Sequence, residues 1–113
     1  KGRSEADEAR LIDEAKALER AGAFSAVVEG TLSPVAAKVA KSVQMPIIGI
    51  GAGADVDGQV LVWSDMLGFF DEFKPKFVKR YLDGANLVRT AVEAYAREVR
   101  EKTFPSNEFE YKI

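Results

Sequence analysis

Two short apolar runs, held apart by a helix-length segment, constrain this chain more than any other feature. They are Phe24-Ser25-Ala26-Val27-Val28-Glu29 and Pro46-Ile47-Ile48-Gly49-Ile50-Gly51. Each has strand length and carries apolar residues on both faces, as parallel strands covered on two sides do. Between them, Ser33-Pro34 reads as N-cap and N1 of a helix reaching about Ser42. Parallel strands need a crossover of that kind. Upstream, Ser4-Glu5-Ala6-Asp7 is a capping box with Asp in the Glu position. It opens a helix whose apolar face is Ala6, Ala9, Leu11, Ile12, Ala15 and Leu18, with Gly22 as its stop.

Downstream, a Gly/Asp loop over residues 52–58 leads to a third predicted strand, Gln59-Val60-Leu61-Val62-Trp63. After Asp65 the chain turns aromatic, with Phe69, Phe70 and Phe73. Pro75 is predicted to open a short helix carrying Phe77, Val78 and Tyr81. A long helix follows over residues 85–102, with Leu87, Val88, Ala91, Val92, Tyr95 and Val99 on one face. Arg89–Glu93, Glu93–Arg97 and Glu98–Lys102 are spaced to pair on its other side. The tail after Pro105 is polar and expected to be mobile.

The order is therefore α/β, with three strands. Three parallel strands cannot close a barrel, and both sheet edges would be open. The first helix has no preceding strand to return from. The chain is thus expected to be one portion, residues 1–113, of a larger single domain whose N-terminal units lie outside this sequence. It begins with Lys1 rather than Met, and the start is read as processed, cloned or truncated.

Composition narrows the chemistry. The 113 residues contain no Cys and no His. Disulfides, thiolate nucleophiles, His-ligated zinc and Ser-His-Asp triads are excluded within them. Carboxylates, lysines, tyrosines or backbone groups must carry any catalysis. A net charge of −2 leaves no nucleic-acid footprint. No apolar run approaches the ~20 residues of a membrane span. A cytoplasmic location is expected, with neither nucleic acid nor membrane as partner.

Glu29 is the sharpest candidate. It ends an otherwise apolar strand and shares a face with Ser25 and Val27. In β/α barrels the C-terminal strand ends hold the active site. A solvated or ion-paired strand-end carboxylate is the plain alternative. Gly49, Gly51 and Gly53 share a face with Ile47, opposite Ile48 and Ile50. The glycine face either leaves room for a ligand or packs as a tight layer. Gly49-Ile50-Gly51-Ala52-Gly53-Ala54 also fits G-x-G-x-x-A, but turn sequence follows where that fingerprint needs a helix. That turn sequence, Asp55-Val56-Asp57-Gly58, does not have calcium-loop spacing either. Asp65 is a polar candidate or a turn former. Lys74, Lys76, Lys79 and Arg80 read as a solvated basic face, and the phenylalanines as packing or subunit contact.

Several stretches together resemble the ketopantoate hydroxymethyltransferase family. They are Ala15-Lys16-Ala17-Leu18-Glu19-Arg20-Ala21-Gly22-Ala23, Val27-Val28-Glu29 and Pro46-Ile47-Ile48-Gly49-Ile50-Gly51-Ala52-Gly53. Asp57-Gly58-Gln59-Val60-Leu61-Val62, Asp65-Met66-Leu67-Gly68 and Phe73-Lys74-Pro75-Lys76-Phe77-Val78-Lys79-Arg80-Tyr81 continue the likeness to about Pro105. The resemblance implies a (β/α)8 TIM barrel of the phosphoenolpyruvate/pyruvate type, with this chain as its last three β/α units. It implies hydroxymethyl transfer from 5,10-methylenetetrahydrofolate to 3-methyl-2-oxobutanoate, giving 2-dehydropantoate, in pantothenate and coenzyme A synthesis. It also implies a Mg2+ ion that binds the keto acid, with ligands in the N-terminal part, and a homo-oligomer of the decamer type. Glu29 matches the family's proton-abstracting base.

The sequence departs from the family pattern at Ser64, where His is common. It departs again at the longer link Gly30-Thr31-Leu32-Ser33, and at the tail Asn107-Glu108-Phe109-Glu110. On this reading the isolated chain is inactive and the complete enzyme active. Another 2-keto-acid lyase or isomerase of the same superfamily, or a non-catalytic barrel fragment, are the competing readings.

Overall fold

The computed structural model describes all 113 residues, Lys1–Ile113, as two compact units. The first comprises Lys1–Val62 with Pro75–Val78, the second Trp63–Lys74 with Lys79–Ile113.

The first unit is a parallel sheet with two helices. Helix α1 spans Glu5–Arg20, and the Ser4 hydroxyl accepts from the Asp7 amide, as the capping box predicts. Gly22, at φ +95°, lets Ala23 donate to the Leu18 carbonyl and Gly22 to that of Glu19. That pair of hydrogen bonds is the Schellman stop. Strand β1, Ala26–Glu29, is shorter than predicted at its start, because Phe24 is almost fully exposed and unpaired. Helix α2 runs Ser33–Ser42, but its N-cap is Leu32, so Ser33 moves inside the first turn. Strand β2 is Ile47–Ile50 and strand β3 only Gly58–Gln59.

The sheet order is β1-β2-β3, all parallel. Ala26, Val28, Ile47 and Gly49 share the face covered by the helices. Ile47 is fully buried there among Ala15, Val35, Val39 and Met45. Burial of such a side chain contributes about 1.5–3 kcal/mol. Polar ties hold the frame. The Glu19 carboxylate accepts from the Gln44 and Met45 amides, both at 2.7 Å. The Asp57 carboxylate accepts from the Ile47 amide at 2.8 Å, while the Asp57 amide donates back to the Ile47 carbonyl at 3.0 Å. Lys38 pairs with Glu8 at 2.6 Å, joining α2 to α1.

The third strand is shorter than predicted. After the Val60 amide bonds the Gly49 carbonyl, β2 has already turned away, so Leu61 and Val62 find no ladder partner. Apolar character alone does not make a strand without one. Pro75 opens no helix either. One bond, Val78 amide to Pro75 carbonyl, closes a single turn before the chain continues without regular structure.

In the second unit, α3 is one turn, Trp63–Met66, and α4 spans Gly84–Glu101. Gly68, at φ +70°, sits against the Leu82 carbonyl, where a side chain would not fit. The three predicted ion pairs along α4 are not formed. Arg89 instead reaches Asp71 at 3.1 Å and Asn86 at 2.7 Å. Exposed pairs of long side chains contribute little, so a neighbouring loop carboxylate competes easily. Phe104 packs edge-on against Tyr95 and tilted against Phe109, and the tail forms one 3-10 turn, Asn107–Phe109. No helix is long and apolar enough to cross a membrane.

Two predictions follow from these ties. Ile47→Ala is expected to cost about 2–5 kcal/mol in urea unfolding, and a loss below 1 kcal/mol would show that this face is not the core. Arg10 and the Gly2 amide hold the Asp7 carboxyl below its ordinary value of 3.8. Its contribution is therefore present above that value and lost as pH falls through the lower folded one. Asp7→Asn should flatten the loss of stability below about pH 4, as followed by circular dichroism during acid titration.

Candidate active site

Glu29 stands where the sequence places a functional carboxylate, at the C-terminal end of a parallel strand. The alternation of β1 turns Val27 and Glu29 away from the helices. Register pairs Val27 with Ile48 and Glu29 with Ile50. The carboxylate thus terminates an apolar face made by Val27, Ile48 and Ile50. It is exposed and takes part in none of the protein's ion pairs or side-chain hydrogen bonds. Of the two plain alternatives the ion pair does not form, and an exposed, solvated strand-end carboxylate matches what is seen.

The backbone around it is pinned. The Gly30 amide donates to the Ile50 carbonyl at 2.9 Å, extending the ladder past the strand end. The Thr31 hydroxyl, on a buried residue, donates to the Glu29 carbonyl at 3.2 Å. The position of Glu29 is therefore fixed although its side chain is free.

The glycine run divides its work. Gly49 lies on the covered face, and a Cβ there would stand 2.9 Å from Val56. It is a tight packing layer, so the open face is the one carrying Ile48 and Ile50, not the glycine face. Gly51 and Gly53 come after the strand, at φ +61° and +82°. A Cβ on Gly51 would meet the Phe77 ring at 2.8 Å. Those two glycines border open clefts, so the room foreseen for a ligand exists only beyond the strand end. No helix opens on the glycines, and the dinucleotide arrangement is absent.

The other candidates separate. Asp65 lies in α3, in the second unit, and its carbonyl accepts from the Gly68 amide. Its carboxylate enters none of the ion pairs. The basic residues do not form one helix face. Arg80 donates to the Phe70 carbonyl at 2.7 Å, Lys79 lies 4.9 Å from the centre of the Tyr81 ring, and Lys76 borders a cleft in the first unit. Phe69 packs edge-on against Trp63, as packing rather than stacking for a ligand. Sequence reasoning missed Asp57 and Thr31. The Asp57-Gly58 turn was the available signal for the first, and nothing local marked the second. No three His, Cys, Asp or Glu side chains converge where they could hold a metal ion.

The model of the ketopantoate hydroxymethyltransferase family matches residues 1–107. The chain belongs to that family. It is 65% identical over 112 residues to 3-methyl-2-oxobutanoate hydroxymethyltransferase of Campylobacter concisus, covering 99% of this chain and 41% of that protein. The Nitratiruptor protein of the same name is 66% identical over 102 residues, 90% of this chain and 39% of its own. The Helicobacter pylori protein of that name is 52% identical over 110 residues, 97% and 40%. The chain spans about two fifths of the length of the curated relatives it matches.

Gly51 tests the local geometry of this family member. Gly51→Ala should destabilise by about 1–2 kcal/mol from its left-handed backbone alone, with more from the Phe77 ring. A thermal melt unchanged from the parent would remove the turn from the account.

Proposed function

We propose that this chain is the C-terminal part, the last three β/α units, of a (β/α)8 barrel hydroxymethyltransferase. The enzyme would move a one-carbon unit from 5,10-methylenetetrahydrofolate to 3-methyl-2-oxobutanoate and yield 2-dehydropantoate. Glu29 is its proton-abstracting base. One observation carries the reading: an unpaired carboxylate on a pinned strand end, beyond an apolar face, in a chain the family matches almost throughout. The relatives' shared name supports the reaction class.

The chemistry suits the position. A hydrogen on the carbon beside a ketone is too weakly acidic for an unaided carboxylate. Glu29 takes that proton from C3, and the electron pair it leaves spreads onto the keto oxygen. C3 then bonds to the bridging methylene carbon as that carbon's bond to one folate nitrogen breaks and the nitrogen takes up a proton. Water displaces the second nitrogen, which leaves protonated as tetrahydrofolate, and the water oxygen becomes the hydroxyl of the new hydroxymethyl group. The apolar Val27, Ile48 and Ile50 beside the carboxylate suit the branched alkyl end of the keto acid.

A metal on the keto oxygen would supply the remaining stabilisation by acting as a Lewis acid. This chain's side chains do not fit a Mg2+ site, because no group of oxygen donors converges beside Glu29. The proposed enzyme would draw its metal ligands from residues outside this sequence. The open edge of β1 and the exposed Val27 suit completion by further barrel units, and a homo-oligomer of barrels in the cytoplasm is the proposed assembly.

Solvent exchange of the C3 proton isolates the step assigned to Glu29. In the full-length protein, Glu29→Gln should slow exchange by about 10²–10⁴-fold and leave keto-acid binding intact. Exchange at the parental rate would remove Glu29 from the role. Turnover of the keto acid without methylenetetrahydrofolate would point instead to a lyase or isomerase.

A further inference from the structure

The chain has a small excess of acidic residues, 18 against 16 basic. One cleft in the first unit runs against that balance. It measures about 500 Å3 and is bordered by Lys1, Arg3 and Lys76, with no Asp or Glu in its walls. None of these three side chains enters the four ion pairs the protein forms. Like charges around one concavity repel unless an anion joins them.

The backbone of the cleft has the same polarity. Gly51 and Gly53 have positive φ, while Ala52 between them does not. Alternating signs turn successive N–H groups toward one side, the pattern of an anion-binding nest. The amides of Gly51, Ala52 and Gly53 meet no acceptor within the chain. Ser33 stands against Gly53, where any side chain would displace its hydroxyl. Ser33 also begins α2, whose N-terminus has no side-chain cap and no acid in its first turn. That end adds positive potential but is secondary to the cations and the glycine turn. Gly30 and Thr31, which follow Glu29 directly, form the near wall.

We propose that this cleft, lined by Arg3, Lys76 and the Gly51–Gly53 turn, binds a carboxylate group of a reactant beside Glu29. The identity of the reactant rests on the function proposed above; the anion chemistry does not. Both reactants carry carboxylates, the keto acid one and the folate its glutamyl tail. The cleft volume suits a ligand of drug size and so favours the tail.

Calorimetric titration of the full-length protein tests the site. The probes are citrate, the keto acid, and tetrahydrofolate with one or three glutamyl residues, each at low and high salt. The parent should bind citrate, more weakly at high salt, and should prefer three glutamyl residues to one. The double substitution Arg3→Gln with Lys76→Gln should weaken carboxylate binding by about tenfold or more. Arg3→Lys with Lys76→Arg should retain it, and Lys16→Gln on α1 should change nothing. Lost preference for the longer tail identifies the folate as the source; weakened keto acid alone identifies the keto acid. Unchanged affinity for all four probes, in a double variant that melts like the parent, overturns the site. So does a parent that binds no citrate. The citrate arm keeps the two readings apart, since a protein without turnover that loses citrate on substitution retains the site and loses the reaction.

Discussion

Ile47 has no contact with solvent, and the register of β2 against β1 follows from that burial. A strand alternates its faces, so slipping the pairing by one residue would move Ile47 to the open side. With Ile47 held beneath the helices, Ala26 must lie beside it and Val28 beside Gly49. Glu29 then falls opposite Ile50 and away from the core. The position of the candidate base is thus a consequence of where the apolar side chains are buried. Asp57 reinforces the same point, because its carboxylate and amide both bond to Ile47.

The two faces of this small sheet have different duties. The covered face is closed by Val35, Val39 and Met45, and Gly49 leaves space there only for Val56. The other face carries Val27, Ile48 and Ile50 and ends in a carboxylate. Past the strand ends the chain offers bare backbone, at Gly30 and at Gly51–Gly53. This places polar groups at the C-terminal ends of the strands and structural packing beneath, the division seen across β/α barrels. Function can vary in the loops while the register beneath them stays put.

Membership of the ketopantoate hydroxymethyltransferase family fits this arrangement without depending on it. The family match concerns the order of residues; the site concerns which of them reach one place. Lys76 shows the difference. In sequence it belongs to a basic run with Lys74, Lys79 and Arg80. In space it shares a cleft with Arg3 and Gly51, while Lys79 and Arg80 engage Tyr81 and Phe70.

Local patterns determined much of this protein from the sequence alone. The Ser4 cap, the Gly22 stop, the two apolar strands and the long final helix depend on near neighbours, and each forms close to where its pattern lies, although only one face of the strands is covered. The placement of Glu29 at a strand end was legible for the same reason. Tertiary structure decided what needs a distant partner. Val60-Leu61-Val62 has strand character, but β2 turns away before it can pair. The stretch after Pro75 has helical spacing, yet only a single turn forms there, with Phe77 against Gly51. The glycine face looked open because sequence shows a missing side chain but not what fills the space. Only packing revealed that Val56 occupies it at Gly49, and that the open room begins beyond the strand, against Gly30 and Thr31.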